Sequence, residues 1–283
     1  NSGLKMCEDF CVSHCPERAI PGNTLREMVY NDRVIGGVDE KSTKLTEKLY
    51  SSFVKGILYL TNSTAAEMIK LMENTFRDVN IALANEFAKI AGDYDVDVWK
   101  AIEIANKHPR VNILKPGPGV GGHCIAIDPW FLTENTENSS LIFTSRQIND
   151  SMPQYVLRQV KYMLKDIETP TITVFGVAYK GNIDDTRATP ARKFIKLAKK
   201  EGYTVKIYDP YVKEFDYPIL DLEDAVKDSH CIVLLTDHTV FENIDPECSG
   251  NLMKAKNIID CRNILDDKKW RESGFNTKLL GGI

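Results

Sequence analysis

From residue 64 to about residue 91, apolar side chains return at steps of three and four: Ala65, Met68, Met72, Phe76, Val79, Leu83, Phe87 and Ile90. That spacing winds one stripe along an α-helix and predicts an element about 40 Å long at ~1.5 Å per residue. The run Asn62-Ser63-Thr64 supplies an N-cap, with Glu67 three residues beyond Thr64, and Gly92 closes the far end. A second helix is predicted over VDVWKAIEIANKH, stopping before Pro109, and a third over PQYVLRQVKYMLKDI, opening at Pro153.

Short apolar runs flank this helical centre. On the N-terminal side FCVSHC, RVIGGV and GILYL read as strands, with TEKLYSSF as a helix between the last two. After Thr171 the buried strands TITVFGVAY, TVKIYDP, CIVLLT and NIIDC alternate with helices over residues 190–201, closed by Gly202, and over DLEDAVKD. Strand and helix in alternation predict a parallel, doubly wound sheet, so the expected fold class is α/β.

Length and composition refine this picture. At 283 residues the chain suits more than one domain, and 43% hydrophobic with 27% charged residues is the balance of an ordinary globular protein. A formal charge of -4 argues against a chain that coats nucleic acid or an anionic membrane, so any anionic ligand must be met by a few placed cations. The sequence holds no run of ~18 apolar residues, and NSGLKMCEDF lacks the layout of a secretory signal, so a cytoplasmic location is expected. Seven scattered cysteines, an odd count, fit reduced thiols better than a disulfide framework. The first residue is Asn1 rather than methionine, as in a processed or partial chain.

The densest candidate chemistry is KPGPGVGGHCIAIDP, residues 115–129. Glycines at 117, 119, 121 and 122 let the main chain approach a ligand, and they lead to one thiol, Cys124, with Asp128 four residues on. The alternative is a glycine-rich turn ending in a buried, inert cysteine. Lys70 and Asn74 stand at i and i+4 on one face of the long helix, off its apolar stripe; alone, such a pair reads equally as solvated helix surface. Lys180 and Arg187 flank the turn before a helix with Thr189 as N-cap and Pro190 at its first position, which suits an anion or simply a soluble turn. Cys7, Cys11, His14 and Cys15 depart from zinc-ligand spacing, so no metal is expected, and His123 beside Cys124 is read as structural.

Four segments together resemble successive signatures of one family. HCPERAIPG (14–22), AEMIKLMENTFRDVNIALANE (66–86), HPRVNILKPGPGVGGHCIAIDPWF (108–131) and FGVAYKGNIDDTRATPA (175–191) are similar, in order, to the UDP-glucose/GDP-mannose dehydrogenase family. Within it the loop resembles the branch acting on UDP-N-acetyl-D-mannosamine, because His123 and Ile127 stand where the UDP-glucose branch usually has serine and lysine. The resemblance implies oxidation of the sugar at C6 from alcohol to carboxylate, with two NAD molecules reduced in turn. It implies Cys124 as nucleophile, Lys70 stabilising the oxyanion or taking part in proton transfer with Asn74 beside it as hydrogen-bond donor, Asp128 positioning or activating water near Lys70, and Glu17 assisting thioester hydrolysis. Substrate contacts implied in the same way are Arg110, Gly121, Gly122, Lys180, Arg187 and Arg262, with Arg110 reaching a neighbouring subunit; Glu17, Cys124 and Arg187 would also touch NAD.

The architecture implied is a partial Rossmann lobe at 1–62, a central long-helix dimerisation segment at 63–152, and a Rossmann-like UDP-sugar lobe at 153–283. Relatives carry a glycine fingerprint on their first strand–turn–helix. No such fingerprint is read anywhere in this chain, so the main NAD-binding half is expected to be missing and the chain as given to be catalytically silent. Two alternatives stand beside this reading, a UDP-N-acetylglucosamine 6-dehydrogenase and a nucleotide-sugar binding module without catalysis.

Overall fold

A computed structural model describes residues 2–19 and 23–282, in two compact units, 1–74 and 75–283. Residues 20–22, the end of the HCPERAIPG segment, lie outside the described residues. The first unit holds β1 (Ser13–His14), α1 (Thr24–Tyr30), β2 (Arg33–Gly37), α2 (Glu40–Tyr50) and β3 (Leu58–Asn62). β2 pairs in parallel with β3 from Arg33 opposite Leu58 to Gly37 opposite Asn62, and β1 lies antiparallel on the other side of β2. Glycine is required in β2, because a Cβ on Gly36 would strike the Asn62 carbonyl and the Ala66 methyl. The FCVSHC run contributes only Ser13 and His14 as strand, and α1 was not signalled by the periodicity.

The long helix α3 spans Ser63–Asp93 and begins directly from β3. Its cap is Asn62, whose Oδ1 accepts the Ala65 amide at 2.8 Å, so Thr64 and Glu67 lie inside the first turn rather than at its edge. Gly92 lies within the helix, not after it. The apolar stripe that revealed the helix faces outward: Met68, Met72, Phe76, Leu83, Phe87 and Ile90 are all exposed, Phe76 by 61%. Its buried positions are instead Ala66, Asn74, Thr75, Asp78, Ala82, Ala84, Asn85, Ala88 and Ala91.

In the second unit α4 (Val98–Ala105) is capped by Asp97, which accepts the amides of Trp99 and Lys100. Trp99 is anchored through its indole N–H on the Leu280 carbonyl at 2.7 Å, and packs with Ala84, Ala88 and Val98. α5 (Asp128–Thr133) follows the glycine loop. α6 runs over Ser140–Met163, so Pro153 stands inside the helix and does not open it, contrary to the start predicted from the sequence. A proline lacks the amide that the helix interior uses, and here the buried residues Ser145, Arg146, Asn149, Met152, Val156 and Val160 hold the helix on both sides of it.

The remaining elements are β4 (Thr171–Phe175), α7 (Pro190–Lys200), β5 (Thr204–Tyr208), α8 (Leu222–Val226), β6 (Cys231–Leu234), α9 (Pro246–Leu252), β7 (Asn257–Asp260), α10 (Asp267–Glu272) and β8 (Asn276–Leu279). All five strands pair in parallel, in the order β5-β4-β6-β7-β8. The predicted doubly wound sheet is thus present, with β8 added at one edge. Chain direction across the sheet reverses between β4 and β6, and in such sheets ligands bind outside the carboxyl ends of the strands at that point. α6 and α7 cover one face with Met152, Val156, Leu157, Val160, Phe194 and Ile195; Phe241, Trp270 and Phe275 fill the other.

Candidate active site

Cys124 is half-buried at the end of the glycine-proline loop, and the turn into α5 starts on it: its carbonyl accepts the amides of Ile127 at 2.9 Å and Asp128 at 2.8 Å. Asp128, the first residue of α5, is half-buried beside it, whereas His123 is exposed. The glycines serve packing more than ligand approach. Gly122 adopts φ +88°, and a Cβ there would meet the Tyr179 ring at 3.0 Å. A Cβ on Gly121 would press on the Ala188 carbonyl, Tyr179 and Pro190, all under 3.0 Å. The Gly122 amide, expected to be open to substrate, donates to the Arg187 carbonyl at 3.0 Å. Sulfur is therefore carried on a backbone clamped against the β4–α7 connection.

A buried polar network fastens the same loop from the helical side. The Gly117 amide donates to Asn85 Oδ1 at 2.8 Å; Asn85 donates to Asn149 Oδ1 at 2.9 Å; Asn149 donates to the Asp78 carboxylate and carbonyl, each at 2.9 Å. Arg146 joins Asp78 at 2.5 Å, and these four side chains are at most 3% exposed. Burial outweighs Arg146 and Asn149 and leaves the Asp78 carboxyl above the ordinary carboxylate range. Among the described residues, Asp78 Oδ2 and Arg146 Nε find no hydrogen-bond partner. Sequence reading missed this network because a carboxylate and two carboxamides look like solvated helix positions.

The expected phosphate cations differ in their freedom. Lys180 is exposed. Arg187 is engaged by Asp185 through Nε at 3.0 Å and Nη2 at 2.5 Å, and that contact holds the Asp185 carboxyl below its usual value. Thr189 caps α7 by accepting the Ala191 amide at 3.3 Å, with Pro190 at the first position as predicted. Arg262 pairs with Asp237 at 2.8 Å and lies along Gly117, where a Cβ would fall 2.8 Å from its Nη1. Burial pushes Asp237 up, but Arg262 outweighs it and the carboxyl lies low. Cys124, Gly121, Gly122 and Arg187 thus share one neighbourhood, with Arg262 at the loop's base; exposed Arg110 instead contacts its neighbour His108, its guanidinium 3.5 Å from Nε2.

The other expected residues belong to the first unit. Glu17 Oε1 accepts the amides of Arg18 and Ala19, both at 2.7 Å, and Arg33 approaches its other oxygen at 3.7 Å. Burial opposes ionisation of Glu17, but these contacts prevail and hold its carboxyl low. Lys70 is half-buried and Asn74 buried on α3, while Glu73 is tied to Arg18.

Against known proteins, residues 1–54 match the NAD binding domain of the UDP-glucose/GDP-mannose dehydrogenase family, 64–151 its central domain, and 173–267 its UDP binding domain. The chain belongs to the UDP-glucose/GDP-mannose dehydrogenase family. Among its relatives is the UDP-N-acetyl-D-mannosamine dehydrogenase of Methanocaldococcus jannaschii, 54% identical over 273 residues, which cover 95% of this chain and 64% of that protein. A solved structure of the UDP-D-ManNAc dehydrogenase from Pyrococcus horikoshii superposes with a TM-score of 0.91 at 48% identity, covering 99% of this chain and 66% of that one. The UDP-N-acetyl-mannosamine dehydrogenase structure from Staphylococcus aureus gives 0.86 at 43% identity, covering 99% and 65%. This chain spans a little under two thirds of the family members it matches.

A dinucleotide needs open amides at a strand–turn–helix start. At the β2–α2 turn the Asp39 carboxylate takes the Ser42 amide at 2.7 Å, and Thr43 Oγ1 takes the Gly37 amide at 3.1 Å. The Ser42 contacts hold Asp39 ionised, so this turn does not fit a pyrophosphate. By letter, Gly117, Gly119 and Gly122 spell the G-x-G-x-x-G fingerprint, but no strand leads into them and α5 opens only at Asp128. Among the described residues, no group of three or more His, Cys, Asp or Glu side chains is placed to hold a metal, and no helix is long and apolar enough to cross a membrane.

Proposed function

We propose that this chain is part of an NAD-dependent enzyme that oxidises UDP-N-acetyl-D-mannosamine at C6 to the uronate, through a thioester on Cys124. The observation that carries the reading is identity of 54% over 273 residues, a span that includes the Cys124 loop, with a relative named for that substrate. NAD, when bound, supplies the hydride acceptor for both oxidations. After the alcohol has become an aldehyde, the Cys124 thiolate adds to its carbon and forms a thiohemiacetal; loss of a second hydride leaves the thioester, which water cleaves to carboxylate and free thiol.

In this reading Lys70 and Asn74 meet the developing oxyanion, Asp128 orients water, and Glu17, held ionised by two amides, takes the proton from the attacking water. Arg187, Lys180 and Arg262 receive the diphosphate with Gly121 and Gly122 behind the sugar; Arg187 then exchanges its Asp185 contact for phosphate. The exposed stripe of α3 pairs with a second copy, which brings Arg110 to the neighbouring site. These 283 residues alone bind NAD weakly, because the β2–α2 turn offers no pyrophosphate cradle. Cytoplasmic location follows from the nucleotide-sugar substrate.

The test is absorbance at 340 nm in the full-length protein with a panel of UDP-sugars. Two NADH per UDP-N-acetylmannosamine, lost in Cys124→Ala, is the expected result. Turnover of UDP-N-acetylglucosamine alone would reassign the substrate; UDP-sugar binding without NADH would make this a binding module. Micromolar binding of NAD to the 283-residue chain, by titration calorimetry, would contradict the expected silence of this stretch.

A further inference from the structure

The β4–α7 connection carries Lys180, Asp185 and Arg187, and it is fastened by a side chain that the proposed reaction does not use. His238, just past β6, is fully buried, at 0% exposure. Its Nδ1 lies 2.9 Å from the Asn182 amide and its Nε2 lies 3.1 Å from Asp209 Oδ2. A backbone N–H can only donate, so Nδ1 must be a bare acceptor and the ring hydrogen must reside on Nε2, directed at Asp209. The imidazole is therefore neutral, although its distance to Asp209 is that of an ion pair.

The surroundings hold this tautomer and orientation. Tyr211 stacks on the ring at 4.8 Å between centroids, and Phe241 meets it edge-on at 5.2 Å. Asp209, at the end of β5, is itself fixed: Oδ2 also accepts the Val177 amide at 2.7 Å, and Oδ1 accepts those of Tyr211 at 2.9 Å and Val212 at 3.0 Å. On the far side Asn182 sits at φ +61°, and its Oδ1 accepts the Thr239 amide at 3.0 Å. One chain of hydrogen bonds thus joins the ends of β5 and β6 to the start of the 180–187 loop, at the point where the strand order reverses. Further along, the loop's own clasp, Asp185 with Arg187, is exposed and local.

We infer that His238, as the neutral Nε2–H tautomer, is a positioning residue for nucleotide binding, holding the 180–187 loop where its cations receive a diphosphate. The inference rests on the UDP-sugar reading for its ligand, but not for its geometry.

Three measurements on the 283-residue chain test it. Nitrogen-15 histidine correlation spectra of the unmodified chain should show His238 protonated on Nε2 alone at neutral pH; a proton on Nδ1 would overturn the inference without recourse to any variant. His238→Phe keeps the aromatic stack but offers no acceptor. It should weaken UDP binding about tenfold by calorimetry and speed amide exchange within 180–187, with the β4–β6 core unchanged. His238→Gln, which returns an acceptor, should recover part of the affinity. Unchanged UDP affinity, or unchanged exchange in that loop, in His238→Phe would sink the proposal. If the unmodified chain fails to bind UDP, the nucleotide reading fails, whereas the tautomer and exchange data still decide whether His238 pins the loop.

Discussion

From Thr75 onward in α3, two faces of one helix reverse the usual relation between side-chain polarity and exposure. Phe76, Leu83, Phe87 and Ile90 are exposed, whereas Asp78 and Asn85 are buried with Arg146 and Asn149 of α6. An exposed apolar stripe contributes nothing to the stability of one copy and matters when a second surface covers it. A buried polar face does the opposite: it adds little net stability but is costly to disturb, because each member depends on the others for its hydrogen bonds. The first face is therefore read as an association surface and the second as the frame of the Cys124 loop.

Breaking the polar face should give the largest effect. Asp78→Ala leaves the buried Arg146 guanidinium without its main counter-charge and should cost about 3–5 kcal/mol by urea denaturation. A loss under ~1 kcal/mol would mean that water already serves this network. Asn85→Leu, similar in volume, removes the acceptor for the Gly117 amide and the donor to Asn149; about 1–3 kcal/mol is expected, with faster amide exchange at 117–122.

The apolar face should respond in another quantity. Phe76→Glu should change unfolding free energy by no more than about 0.5 kcal/mol, as surface substitutions do, yet shift sedimentation from dimer to monomer. A dimer that persists would separate the stripe from assembly.

The smallest effect concerns ionisation, where Asp78 and Asp209 should move in opposite directions. Asp78, raised by burial, stabilises the fold most below its unfolded value of ~3.9 and loses that contribution as pH rises through its higher folded value. For Asp209 burial also pushes upward, but His238 and the amides of Val177 and Val212 prevail; its contribution is present above ~3.9 and is lost as pH falls through its lower folded value. Carboxyl carbon-13 titration should find the first above and the second below the ordinary range.

Period and alternation made most elements legible. The α3 stripe, the Thr189-Pro190 helix start and the four strands after Thr171 all stand close to where the sequence put them. The sense of burial on α3 was not legible, since periodicity marks a shared face without saying what covers it. β8, NTKL, escaped because it is an edge strand of mixed polarity, and α6 escaped in its first half because Pro153 looked like a beginning. At the site, the loop and its thiol could be named from glycine spacing. Tyr179, Asn85, Asn149 and His238 could not, because each earns its role from partners distant in sequence.

Pro153 in α6 has a consequence for the thiol loop, through Asn149 four residues back along the helix. With no N–H to give, it leaves the Asn149 carbonyl without the donor that an interior turn normally provides, and that oxygen lies 3.1 Å from where a Gly119 side chain would begin. The gap in the helical ladder and the missing side chain occupy the same spot. An alanine at 153 would place an N–H opposite that carbonyl and tie the oxygen into its own helix, beside the point where the loop passes without a side chain.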